Sequence, residues 1–334
     1  MTRTPIIDRA VAIGGGTGLP LVLRCLRGLA KDTAAVVSVA DNGGSSGRLR
    51  EELGMLPPGD LRKCLVALAD PKSFLASLFE YRFPAGEGLE GHTLGNLIIA
   101  ALVDLEGDFA QAVADAGRLI GAGGRVLPST MEDVTLYACD KDGHMIAGQF
   151  DIATGPEQPR SVYLEPPSPP VFDQTDEALR TADLIVIGPG SLYTSILPNL
   201  LVAGVPEAIR AARATRVYVM NLTSQPGETH GYTAAEHVDA LERHREGLID
   251  VIVMNDVDAY TDEQRDLLAE RGLTIVADDG TLASGDIPLV TAPLASRADP
   301  AQHDCGALCD LLAGLVSGEA REAATGKAPG EAIV

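Results

Sequence analysis

Two glycine-rich stretches hold the residues most suited to chemistry in this sequence. The first, Gly14-Gly15-Gly16-Thr17-Gly18, follows Val11-Ala12-Ile13. The second, Asp41-Asn42-Gly43-Gly44-Ser45-Ser46-Gly47, follows Val36-Val37-Ser38-Val39-Ala40. Each reads as a strand ending in a tight turn that opens toward a helix. Glycine in such a turn lets backbone N–H groups approach a phosphate with no Cβ in the way. Two such turns on consecutive parallel strands lie side by side at the carboxyl edge of the sheet, where open α/β sheets bind ligands. The chemistry implied is the binding of a phosphorylated, nucleotide-like ligand. The first stretch lacks a P-loop lysine and matches a dinucleotide fingerprint only loosely. In the second, Asp41 stands where a carboxylate would hold Mg²⁺ or a ribose hydroxyl. The alternative is a turn in which Asp41 and Ser45 bond their own backbone.

Three further constellations share this grammar. Gly91-His92-Thr93-Leu94-Gly95-Asn96 precedes a very apolar helix, so Thr93 or Asn96 would cap it. His92 would donate to a phosphate, act in acid–base chemistry, or serve only the core. Gly188-Pro189-Gly190-Ser191-Leu192-Tyr193-Thr194-Ser195 follows an apolar run, without the Gly-x-Ser-x-Gly context of a hydrolase elbow. Asn221-Leu222-Thr223-Ser224-Gln225-Pro226-Gly227-Glu228-Thr229 also follows a strand. There Asn221 and Gln225 offer paired donors and acceptors to a base or sugar, and Glu228 suits the positive end of a helix. The expected ligand-binding set is therefore Gly14, Gly15, Gly16, Thr17, Gly18, Asp41, Asn42, Gly43, Gly44, Ser45, Ser46, His92, Asn96, Gly188, Pro189, Gly190, Ser191, Tyr193, Asn221, Gln225, Gly227, Glu228 and Thr229. If the protein is an enzyme, Asp41, Asp60 and His92 are the catalytic candidates, with Asp41 on the metal.

Elements able to position these turns alternate along the chain. Strands are expected at 11–14, 35–40, 184–187, 216–220, 251–254 and 273–276, and helices at 19–29, 59–68, 96–105, 109–119 and 234–244. This alternation argues for an α/β fold with a mostly parallel, doubly wound sheet. Short alternating segments at 134–140, 144–150 and 160–164, split by Asp142-Gly143, read as a small β-rich insertion. One domain is expected over 8–320, with the insertion at about 134–164 and a disordered tail at 321–334.

Composition sets outer limits. The 334 residues are 46% hydrophobic and only 4% aromatic, enough for a large core of Leu, Val, Ile and Ala. A net charge of -21 repels a bare polyanion, so nucleic acid is not an expected partner. Arg48, Arg50, Arg62 and Lys63 would still form a local basic pocket near the second turn. The five cysteines show no paired framework; Cys25, Cys64 and Cys139 are expected to be buried. Cys305 and Cys309 share a helical face, and with His303 they make a weak zinc alternative. With no signal-type N-terminus and no membrane-length apolar run, the expected location is the cytoplasm, without membrane insertion.

These motifs resemble the YvcK-type gluconeogenesis factor family, related to the CofD 2-phospho-lactate transferases. The resemblance rests on Ile13 to Leu19, Ala40 to Arg50, Leu56-Pro57-Pro58-Gly59-Asp60, Gly91 to Leu97, Gly123-Gly124-Arg125-Val126-Leu127-Pro128, Gly188 to Leu200, Gln225 to Thr229 and Ala235 to Val238. It implies a three-layer, Rossmann-like CofD-type fold in a cytoplasmic protein that binds a UDP-sugar, typically UDP-N-acetylglucosamine. It also implies a regulatory role in cell shape, cell-wall precursor supply and growth on gluconeogenic carbon sources, through cell-wall or regulatory protein partners. A homodimer follows by analogy with the CofD relatives. The rival implication is a metal-dependent transferase that takes a phosphorylated group from a nucleotide donor, with Asp41 at the metal-holding position. Two departures stand out: Asn42 where the family often has a second Asp, and Gln302 where a basic residue often precedes the His303-Asp304 pair.

Overall fold

A computed structural model describes residues 4–318; the expected tail at 321–334 lies outside the described residues. Ten strands follow in chain order: β1 (Ile7–Gly14), β2 (Ala30–Val37), β3 (Arg125–Pro128), β4 (Thr135–Asp140), β5 (Met145–Ala147), β6 (Pro159–Glu165), β7 (Leu184–Ile187), β8 (Thr215–Val219), β9 (Val251–Asn255) and β10 (Leu289–Ala292). Seven of them form one parallel sheet in the order β10-β9-β8-β7-β1-β2-β3. The chain thus winds outward from β1 in one direction, then returns beside β1 and winds outward in the other. Right-handed crossovers then place the two sets of helices on opposite faces. That gives three layers and a switch point between β1 and β7.

The central strands are covered on both faces, so they read as unbroken apolar runs. Leu184, Ile185, Val186 and Ile187 are all fully buried, and Ala12 and Ile13 beside them likewise. The helix Gly18–Leu29 turns Leu19, Val22, Leu23, Leu26 and Leu29 inward at helical spacing. It packs against the helices Gly59–Leu68 and Cys305–Ser317.

The insertion between β3 and β7 is a three-stranded antiparallel sheet, ordered β5-β4-β6. A short helix, Gln149–Thr154, joins β5 to β6. Strand β4 alternates buried and half-buried residues, which leaves Cys139 half-buried rather than in the core.

Two strand assignments change. Residues 273–276 do not join the sheet. Their backbone is spent on the loop after β8, with Ser224 N–H donating to Thr274 O and Val276 N–H to Leu222 O. The edge position belongs to β10, which is only four residues long. Strand β2 starts at Ala30 and stops at Val37, so residues 38–40 are already irregular.

Candidate functional site

The loops after β1 and β7 diverge at the switch point, and a cleft of about 390 Å³ opens there. Its walls are Thr17, Gly18 and Leu21 from the first glycine turn, Pro189 and Gly190 from the β7 turn, and Asn221 to Thr223 with Gln225 from the β8 loop. Ala301, Gln302 and His303 complete it. Asn221 ties two walls together: its Oδ1 accepts from Gly190 N–H at 2.9 Å and its Nδ2 donates to Gly190 O at 2.8 Å. Gln225 Nε2 donates to Ser191 Oγ at 3.0 Å.

The second glycine turn sits on the other side of residues 14–16 and is coupled to them through Asp60. Asp60 Oδ2 accepts from Gly16 N–H at 2.7 Å, and its Oδ1 accepts from Lys63 Nζ at 2.8 Å. Asp41 Oδ1 accepts from Gly43 N–H at 2.9 Å. Burial, then the negative charge of Asp60, raises the Asp41 carboxyl above its ordinary range; the bonds from Gly43 and Ser46 and the charge of Lys63 act against this. Two acidic groups, one short of cationic compensation, form a centre suited to a hard cation or to the positive end of a ligand.

Asn42 is exposed but occupied: its Oδ1 accepts from Phe150 N–H at 2.9 Å, at the start of the insertion helix Gln149–Thr154. That helix therefore lies over the second turn, and Phe150 carbon atoms come within 3.2 Å of where a Gly43 Cβ would stand. An asparagine keeps the acceptor an aspartate would supply at this position without a further negative charge beside Asp41.

Several expected site residues are buried beneath the cleft rather than along it. Ser45 and Ser46 lie in the first turn of the helix Gly44–Leu53 and are buried. His92 Nδ1 and Ser45 Oγ are 2.9 Å apart, Asn96 Nδ2 donates to Ser45 Oγ at 3.0 Å, and Arg62 Nε donates to Asn96 Oδ1 at 3.0 Å. These linked bonds brace the second turn from behind, and burial holds the His92 imidazole below its ordinary pKa. Tyr193 is fully buried, with its hydroxyl 3.0 Å from that of Tyr232. Thr229 Oγ1 accepts from Gln225 N–H at 3.0 Å.

Glu228 is buried as well and caps the π-helical turn Leu192–Ile196. Its Oε2 accepts from Tyr193 N–H at 3.0 Å and Thr194 N–H at 3.2 Å, and its Oε1 from Thr194 Oγ1 at 2.5 Å. Gly14, Gly15, Gly188 and Pro189 are buried; Gly16, Thr17, Gly18, Gly190, Ser191, Asn221, Gln225 and Gly227 are at least partly open to solvent, as are Asp41, Gly43 and Gly44.

The expected basic pocket does not form. Arg48 donates to Glu90 O, Arg50 to Val134 O while paired with Asp133, Arg62 to Phe79 O, and Lys63 is paired with Asp60. The expected ligand-binding set leaves out Leu222 and Thr223, though their loop is singled out, and residues 301–303, which reach this wall from a distant part of the chain. Ser195 also reaches the first glycine turn: its Oγ lies 3.4 Å from where a Gly15 Cβ would stand. Gln302 Nε2 donates to Asp299 Oδ2 at 3.0 Å, and Arg297 lines a neighbouring cavity of about 1010 Å³.

His303 seals the floor. It is buried and its Nε2 donates to Met220 O at 3.1 Å, and burial pushes its pKa down to about 4. The unfolded state therefore binds a proton that the folded state refuses as pH falls from about 6.5 toward 4. The stability present above that window is lost through it, by about 3 kcal/mol. Denaturant midpoints at about pH 7 and about pH 4.5 should fall less in His303→Gln than in the parent. Equal falls would place the acid sensitivity elsewhere.

An open, doubly wound parallel sheet with glycine turns meeting over its switch point defines a Rossmann-like α/β protein. Residues 10–295 match the family described as 2-phospho-L-lactate transferase CofD. A Bacillus subtilis protein named gluconeogenesis factor is 41% identical over 305 residues, 91% of this chain and 96% of its own length. A Nostoc relative named putative gluconeogenesis factor is 48% identical over 234 residues, 70% of this chain but about half, 51%, of its own length. The crystal structure of a UPF0052 family member from Bacillus halodurans superposes with a TM-score of 0.85 at 37% identity, covering 91% of this chain and 98% of that one. The chain belongs to the CofD family, within the group that includes the gluconeogenesis factors. Among the described residues no helix is long and apolar enough to cross a membrane.

Proposed function

We propose that this protein binds a nucleotide sugar, UDP-N-acetylglucosamine, at the switch-point cleft and acts as a regulator of cell shape, cell-wall precursor supply and growth on gluconeogenic carbon. The observation that carries the reading is the meeting of the β1 and β7 glycine turns beside Asn221 and Gln225. The partly open backbone of Thr17, Gly18 and Gly190 lines a phosphate-sized space there, and the amides of Asn221 and Gln225, which tie the turns together, line it beside them for a base or ribose. A binding protein of this kind needs no general base, and the buried His92 offers no open proton-transfer position.

The pairing of Asp41 with Asp60 favours a second reading, a transferase that uses a divalent cation with a nucleotide donor. Hard carboxylate oxygens fit Mg²⁺ in kind, and the elevated Asp41 carboxyl suits a position short of positive charge. Asp41 and Asp60 would hold the ion, which would neutralise phosphate charge. Lys63 already answers Asp60, so Asp41 is the residue on which metal dependence turns.

Calorimetric titration with UDP-N-acetylglucosamine, with and without Mg²⁺, followed by an assay of the ligand for intactness, separates the readings. Saturable binding of an intact ligand is expected. Asp41→Asn should remove any Mg²⁺ enhancement, roughly tenfold or about 1.4 kcal/mol, while leaving metal-free binding in place. Turnover of the donor that disappears in Asp41→Asn would establish the transferase. Absence of binding in both conditions would overturn the nucleotide-sugar reading.

A further inference from the structure

Three of the five cysteines gather where the first long helix meets the last described one. Cys25 lies in Gly18–Leu29, Cys305 opens Cys305–Ser317, and Cys309 lies one turn further on. The Sγ atoms of Cys25 and Cys305 are 3.4 Å apart, although the residues are 280 positions apart in sequence. The Cys25 thiol also lies 3.2 Å from Cys305 O, and Cys309 Sγ is 3.5 Å from Cys25 O. None of the three is in a disulfide.

The pair is asymmetric. Cys25 is fully buried, whereas Cys305 is half-buried and within reach of solvent. Cys305 stands at the positive N-terminus of its helix, directly after the capping Asp304. The hydrogen bond from the Cys25 thiol, with the nearby Arg24 charge, draws Cys305 down to about 7. Hydrogen bonding with Cys305 and Cys309, together with burial, raises Cys25.

A metal does not account for the cluster. Among the described residues the ligand atoms that converge in a trio within 4.8 Å are those of Asp140, Asp142 and His144, not the three sulfurs. His303, the other zinc candidate, is turned toward Met220 O.

We propose that Cys25 and Cys305 form a reversible, peroxide-driven disulfide that clamps the last described helix onto the first. The Cys305 thiolate attacks one oxygen of a hydroperoxide, the O–O bond breaks, and the departing oxygen is protonated to water or an alcohol. The product is a sulfenic acid on Cys305. The Cys25 sulfur then attacks the Cys305 sulfur, the S–O bond breaks, and the leaving hydroxide takes the Cys25 proton to give a second water. Two thiols lose two electrons and one peroxide gains them. A dithiol reverses the step by exchange and is itself oxidised to a disulfide.

The sulfurs need to close by about 1.4 Å to reach bonding distance, a movement available to a side chain on the first residue of a helix. The cross-link has a consequence for the cleft. It fixes the spacing between Thr17 to Leu21, which open the first helix, and Ala301 to His303, which lead into the last. Redox state thereby acts on a wall of the cleft without touching any group that would contact a ligand.

The test treats the reduced full-length protein with a small excess of hydrogen peroxide and titrates thiols after denaturation. A fall from five thiols to three is expected. Peptide mapping should give a single Cys25–Cys305 cross-linked peptide, and dithiothreitol should restore all five thiols. Cys305→Ser should abolish the cross-link, and Cys309→Ser should retain it. Retention of all five thiols, a Cys25–Cys309 linkage, or sulfinic acid on Cys305 with Cys25 still alkylatable would each overturn the proposal.

Discussion

Gly18→Ala should abolish high-affinity ligand binding and destabilise the fold together. A Cβ at Gly18 would stand 2.8 Å from the Pro189 carbonyl carbon and closer still to its oxygen. Both are backbone atoms of the opposing turn, so no side chain can swing away. Relief requires the loops after β1 and β7 to separate, which widens the switch-point cleft they form. Forcing an extra methyl into a closed contact costs about 1–3 kcal/mol. The same displacement pulls the amide groups of both turns out of register with a phosphate, and a binding loss of about 2.7 kcal/mol is roughly 100-fold. Gly28→Ala, in the same helix, is the matched control. Nothing lies within 4 Å of the point its new methyl would occupy, so it should be neutral or stabilise by up to about 1 kcal/mol. Calorimetry and urea unfolding of both variants read the two effects. Unchanged affinity in Gly18→Ala would show that the two turns do not jointly bind the ligand.

Glu228→Ala is expected to be the most destabilising single change near the site. Its carboxylate meets Tyr193 N–H, Thr194 N–H and the Thr194 hydroxyl, all buried. Removing it strands three donors, each costing about 1–3 kcal/mol when left without a partner. Partial collapse or water entry recovers some of this, so a net loss of about 3–5 kcal/mol is expected. Glu228→Gln keeps the shape but offers one acceptor oxygen instead of two, so it should fall near half that loss. Burial raises the Glu228 pKa despite these bonds, so the charged form is held at a cost that the donors only partly offset. Denaturant midpoints should therefore decline in the order parent, Gln, Ala. Ligand affinity should fall in the same order, because Ser191 and Gly190 lead directly into the capped turn. A Glu228→Ala protein within about 1 kcal/mol of the parent would refute the capping role.

Much of the architecture is legible in the residues. The helices at 59–68 and 234–244 stand where apolar spacing puts them, and a Thr233–Glu236 capping box opens the second. Buried central strands such as Leu184–Ile187 announce themselves as unbroken apolar runs because both faces are covered. Four-residue edge strands such as β3 and β10 carry too few residues for periodicity to register. Residues 273–276 have a strand-like composition, yet their hydrogen bonds go to a loop. Pairing partners, not propensity, decide that case.

Local residues suffice to place the glycine turns at the carboxyl ends of strands, since glycine weakens a strand and supplies the conformations a tight turn needs where the apolar run ends. They suffice for the doubly wound class as well, through the alternation of strand and helix. Which polar residues of those turns face open space, and which are consumed in holding the turns, is settled by long-range packing. His92, Asn96, Ser45, Tyr193 and Glu228 look like ligand contacts in a motif, and in the fold their polar atoms are engaged by other residues of the chain. A buried polar atom must find a partner, and the identity of that partner depends on distant chain brought close. The same reason explains Cys25 and Cys305: nothing local links them, and the packing of the first helix on the last described one places their sulfurs in contact.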